Sequence, residues 1–64
     1  MIDEDLMYFM EGHDNDNLPD GAWQGVLEDA VHIFNTKYNT TYDSHDSFMQ
    51  YIEWKTQKDE ENGS

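Results

Sequence analysis

Between Trp23 and Tyr38 the apolar side chains fall at Trp23, Leu27, Ala30, Val31, Phe34 and Tyr38. Steps of three and four residues put them on one stripe of an α-helix but scatter them over both faces of a strand, so this stretch commits the chain to helix. Val26 and Ile33 widen the stripe on one flank, while Glu28, Asp29 and His32 face the other way. A stripe this wide predicts two packing neighbours, either two further helices or a second chain. Pro19 and Asp20 mark the start, with Asp20 the expected N-cap, and Lys37 near the end suits the helix dipole; the helix is predicted over 21–38.

The flanking segments carry the same period. Ile2, Leu6, Phe9 and Met10 share a face, Asp3, Glu4 and Asp5 occupy the first turn, and Gly12 is the expected stop, which predicts a helix over 3–12 with Met7 off its stripe. Residues 13–21 are turn formers almost throughout and predict a loop. After a short turn at Asn39-Thr40-Thr41-Tyr42, Asp43 or Ser44 caps a third helix over 44–58, with Phe48, Tyr51, Ile52 and the stem of Lys55 inward. Asp46, Gln50, Glu53 and Gln57 line its outer face, and Trp54 lies roughly 120° from Phe48 by helical spacing. Residues 59–64 contain no apolar side chain and predict a disordered acidic tail. The expected fold is all-α: a small three-helix bundle, or a helical hairpin plus an N-terminal helix, forming one domain over 1–58.

Composition limits what such a bundle can do. A chain of 64 residues has one small core and gains from a partner or a second copy. Without Cys there is no disulfide, thiolate metal site or thiol nucleophile. The acidic opening Met1-Ile2-Asp3-Glu4-Asp5 does not resemble a secretory signal, and no run approaches a membrane span, so a cytoplasmic location is expected. In that setting the sequon at Asn39-Thr40-Thr41 reads as a turn. Asp14, Asp16 and Asp20 suggest a calcium loop, but from Asp16 the twelfth position is Leu27, where a bidentate Glu is needed, and from Asp14 the Gly position holds Pro19. Glu28 and His32 share a helix face without the further ligands of a metal site, and His13 and His45 have no such spacing at all. The Ser and Thr residues read as caps, turns or surface positions, and there is no phosphate-binding Gly-rich loop. Neither enzymatic activity nor a cofactor or metal is expected.

The carboxylates are the remaining signal. Fifteen Asp and Glu face three Lys and no Arg, a formal charge of −12. Such a surface repels nucleic acid and anionic membranes and attracts basic proteins. A domain of this length has a radius of gyration of about 11 Å, hence a diameter of roughly 28 Å, over which duplex DNA carries about 16 charges. Asp46, Glu53 and Glu60 form a row on the third helix, with Glu28 and Asp29 added from the second. The expected partner-binding residues are Glu28, Asp29, Asp43, Asp46, Glu53 and Trp54, with a basic, nucleic-acid-binding protein as partner, no direct nucleic-acid contact, and homodimerisation left open.

In size, charge, lack of Cys and Arg, and the segments Leu27-Glu28-Asp29-Ala30-Val31-His32 and Tyr42-Asp43-Ser44-His45-Asp46-Ser47-Phe48, the chain resembles the small acidic anti-defence proteins of bacteriophages. These include DNA-mimic inhibitors of restriction enzymes and CRISPR effectors and inhibitors of uracil-DNA glycosylase. The resemblance is one of class and assigns no individual residue a role. It implies an inhibitor that fills the basic nucleic-acid cleft of a host protein. The alternative is a regulatory or assembly-blocking protein, antitoxin-like or dimeric, that binds through apolar helix faces, with the wide second stripe, Met7 and Trp54 as its interface.

Overall fold

The computed structural model describes residues 3–63, which form α1 (Glu4–His13), α2 (Asp20–Tyr38) and α3 (Ser44–Gly63) with no strand among them. The expected stripe residue Ile2 lies outside the described residues. The all-α bundle read from the stripes is the architecture found.

Two of the three helices begin on an aspartate that satisfies open backbone donors. The Asp3 Oδ1 accepts from the Asp5 N–H at 3.0 Å and the Leu6 N–H at 3.3 Å, so Asp3 is the N-cap of α1. The Asp43 Oδ2 accepts from the Asp46 N–H at 2.8 Å, and its carbonyl accepts from the Ser47 N–H at 2.9 Å, which caps α3. Asp20 does not cap α2. It is the first helical residue, behind Pro19, whose extended backbone (φ −60°, ψ 157°) holds the cap position without a side-chain bond.

The ends depart further from expectation. Gly12 does not stop α1; the helix runs through His13 and ends at Asp14, in extended backbone. The His13 Nδ1 donates to the Phe9 carbonyl at 2.9 Å, and the Asp14 N–H covers the open Glu11 carbonyl of that last turn at 3.1 Å. The left-handed position belongs instead to Asn39 (φ 55°, ψ 48°), and the Thr40 N–H returns to the Asn35 carbonyl at 3.0 Å, closing α2 in a Schellman turn. α3 continues to Gly63, past the expected end at residue 58 and into the acidic stretch predicted to be disordered. Gln57, Lys58 and Glu60 are good helix formers, and no Gly or Pro precedes Gly63 to break the run.

The core is Leu6, Met7 and Met10 from α1, Leu27, Ala30, Val31 and Phe34 from α2, and Phe48 and Tyr51 from α3, with Phe9, Trp23, Ile52 and Trp54 packed against it. α2 lies in the middle and packs on both other helices, while α1 and α3 meet more sparingly. This explains the wide stripe of α2, whose two flanks serve two neighbours. Met7, expected off the stripe, is fully buried, because α1 also touches two helices and needs a wider apolar arc. Tyr38, expected inward, is 53% exposed in the last turn of α2, its ring tilted against Phe34 with centroids 4.6 Å apart.

Candidate functional site

The carboxylates fall into two populations, those bound by the fold and those left facing water. Asp14 belongs to the first. At the C-terminal end of α1 its side chain is only 7% exposed. It accepts from the Trp23 Nε1 at 2.5 Å, the Tyr51 hydroxyl at 2.6 Å and the Lys55 Nζ at 2.7 Å, thereby tying α1 to both other helices. Burial raises the Asp14 carboxyl, but the bonds from Lys55, Tyr51 and Trp23 outweigh it and hold the group below the usual carboxylate range. Burial and then the hydrogen bond to Asp14 push the Tyr51 hydroxyl well up, and the bond to Asp14 raises the Lys55 ammonium. Sequence spacing showed Asp14 only as a failed calcium ligand. Its role became visible only once the fold joined residues 37 and 41 positions apart.

The few cations are engaged close to home. Lys55 also lies 3.7 Å from Asp16, and Lys58 lies 3.4 Å from Glu11. Lys58 stacks over Tyr8 and Trp54, 5.0 and 4.8 Å from their ring centroids, and Lys37 lies over Tyr38 at 5.5 Å. Among the described residues, ion pairs form only with Asp14, Asp16 and Glu11.

The outer carboxylates are therefore not neutralised by neighbours. Asp29, Asp46, Glu53 and Glu60 are exposed. Glu28 is half-buried and accepts from the Gln24 Nε2 at 2.8 Å, while Asp46 accepts from the Gln50 Nε2 at 2.9 Å. Asp43 is exposed but also holds the start of α3. Asp46, Glu53 and Glu60 stand seven residues apart, so successive members are separated by about 10.5 Å of helix rise, a sparser row than i, i+4 neighbours would give. Trp54 does not stand free. It is half-buried, edge-on to Tyr8 at 5.2 Å and tilted against Tyr51 at 5.9 Å, and so closes α3 onto α1.

At the other end of α1 a second cluster forms. The Asn35 side chain accepts from the Tyr42 N–H at 3.0 Å and the Thr40 hydroxyl at 2.7 Å and donates to the Tyr42 carbonyl at 2.9 Å, fixing the turn between α2 and α3. Tyr42, so held, donates its hydroxyl to the Asp3 Oδ2. That bond, reinforced by the backbone donors at Leu6 and Asp5, lowers the Asp3 carboxyl and raises the Tyr42 hydroxyl in turn. Beside it opens a cleft of about 610 Å³ lined by Asp3, Asp5, Tyr8, Phe9, Phe34, Tyr38 and Thr40.

Among the described residues no group of three His, Cys, Asp or Glu is placed to hold a metal ion, and no helix is long and apolar enough to cross a membrane. Comparison with protein families, characterised proteins and solved structures gave no match.

Proposed function

We propose that the chain is an acidic protein inhibitor acting by binding rather than catalysis: a phage-type DNA mimic that occupies the basic nucleic-acid cleft of a host restriction, CRISPR or repair protein. One observation carries this reading: exposed carboxylates on all three helices, while Lys55 and Lys58 are paired to Asp14, Asp16 and Glu11. Unrelieved self-repulsion costs stability, and long-range attraction to a basic cleft is the benefit such a surface offers.

A magnitude narrows the mimicry. The fold is 37 Å along its longest axis. Over that length a duplex carries about 22 charges and one of its strands about 11. The formal −12 corresponds to one phosphate strand. The chain thus competes for the contacts a basic cleft makes to a single backbone.

The test is competition. A labelled oligonucleotide bound to purified restriction, CRISPR and uracil-excision enzymes is displaced from at least one of them at about 50 mM salt, and displacement weakens steeply by about 200 mM. Failure to displace it from any of these proteins at low salt removes the reading.

A second reading has its own observation. Ile33 and Met49 stay 48% and 53% exposed after the helices have packed. A regulatory protein docking through apolar faces would use them, since Met7 is now core and Val26 and Trp54 are partly covered. Ile33→Asp then abolishes binding while Asp46→Asn with Glu53→Gln changes little; the DNA-mimic reading predicts the reverse.

A further inference from the structure

The cleft between the start of α1 and the end of α2 combines two features that the bundle itself does not require together. Its walls are aromatic: Phe9 and Phe34 form the floor against the core, while Tyr8 and Tyr38 remain 52% and 53% exposed at its sides. Its mouth is acidic, with Asp3 and Asp5 both lining it. Among the described residues that line it there is no cation. The chain's own lysines lie outside, Lys58 over Tyr8 and Lys37 over Tyr38, so these rings already attract ammonium groups.

We propose that this cleft is a recognition pocket for an arginine side chain presented by the basic partner. The assignment follows from charge and shape. A guanidinium is planar, stacks on aromatic faces and pairs with carboxylates, and it is more weakly hydrated than an ammonium, so it enters a half-apolar cleft more readily. A volume of about 610 Å³ lies within the range of clefts that enclose a ligand and admits a side chain with its adjoining backbone.

The pocket is also held in shape before binding. Asp3 is fixed by the α1 cap bonds and by the Tyr42 hydroxyl, and Tyr42 is fixed by Asn35. Asp5, exposed in the first turn of α1, is the carboxylate left to pair with the incoming group, while Asp3 supplies a fixed negative charge beside it. Preorganised rings and acids lose little freedom on binding.

The inference deepens the acidic-inhibitor reading and rests on it for the partner's chemistry, but its test addresses the cleft alone. The full chain is titrated with N-acetyl-arginine amide and, in parallel, with the neutral N-acetyl-citrulline amide, following ring and backbone signals by NMR. The expected result is saturable shifts centred on Asp5, Tyr8, Phe34 and Tyr38 with the arginine probe and none with citrulline. Asp5→Asn and Tyr38→Leu, both exposed, each weaken the arginine probe about three-fold with unchanged helical circular dichroism, the scale of an exposed cation–π or ion-pair contact. Asp59→Asn, on the far helix, leaves the probe's affinity unchanged. Shifts spread evenly over the acidic faces, equal shifts with citrulline, or wild-type affinity in both cleft variants overturn the proposal. A chain that displaces the oligonucleotide from its enzyme but gives no focused arginine shifts loses the pocket and keeps the inhibitor. One that gives the shifts but displaces nothing loses the inhibitor and keeps the pocket.

Discussion

The two ends of α1 each carry an aspartate, Asp3 and Asp14, and the two carboxylates lead different lives. Asp14 is buried and takes three side-chain donors from α2 and α3, one of them charged. Asp3 is half-exposed, takes two backbone donors from its own helix and one phenol, and borders an open aromatic cleft. The difference lies in the surroundings. Where a carboxylate is desolvated, the fold must surround it with donors or lose stability. Where water still reaches it, hydrogen bonds can fix its position while its charge stays available. In a chain of −12 only the second kind can act on another molecule.

The largest effect that sharpens this contrast is expected at Asp14. Asp14→Ala leaves the Tyr51 hydroxyl and the Trp23 N–H without their partner and the half-exposed Lys55 with Asp16 alone, and should destabilise the fold by about 2–4 kcal/mol in urea unfolding. Because a domain of this length has a total stability on the order of 3–10 kcal/mol, that loss takes a large share of it. A loss below about 1 kcal/mol would place Asp14 with the surface acids. Asp3→Ala removes a cap and one phenol contact and should cost about 1 kcal/mol.

The same contrast has a pH signature. Asp14 titrates lower in the folded chain than in the unfolded one, so its contribution is complete above the ordinary carboxyl value of 3.8 and is lost as pH falls through its folded value. The stability gap between the wild type and Asp14→Asn is therefore full near neutrality and closes in acid. At the alkaline end Tyr51 and Lys55 are both raised, from ordinary values of 10.0 and 10.5. Their contributions hold below those values and fade as pH rises beyond them, giving a second decline above about pH 10. A gap that stays constant from neutral to strongly acid pH would show that Asp14 is not held by its charge.

The smallest effect on stability belongs to the outer faces. Asp5→Asn, Asp46→Asn and Glu53→Gln each change unfolding free energy by less than about 0.5 kcal/mol, because relieved repulsion is offset at Asp5 and Asp46 by the lost interaction with the helix dipole and no cap is removed.

The stripes made the fold legible in the sequence, because helical period is local and α2 carries enough of it to imply two neighbours. The ends were harder. Asp43 was legible as a cap, but Gly12 carries the usual stop signal and α1 runs past it, Asp20 does not cap α2, and Asp3 and Asn39 do the capping at the other ends. The acids themselves were visible, and so were Asp29, Asp46 and Glu53 as exposed positions. What the sequence hid was which acid the fold consumes. Asp14 meets Tyr51 and Lys55 across more than half the length of the chain, and Trp54 finds Tyr8 on another helix, contacts that no period encodes. The cleft likewise depends on Asn35 holding Tyr42 against Asp3, a juxtaposition made only by packing.

The central claim is that the exposed carboxylates serve a basic partner while Asp14 serves the fold. It is tested most directly by oligonucleotide displacement with one combined variant, Glu28→Gln, Asp29→Asn, Asp46→Asn and Glu53→Gln, which leaves Asp3, Asp14 and Asp43 intact. The account predicts a variant at least as stable as the wild type that displaces the oligonucleotide at least about tenfold less well at low salt, with a shallower salt dependence. A folded variant that displaces as well as the wild type would contradict it.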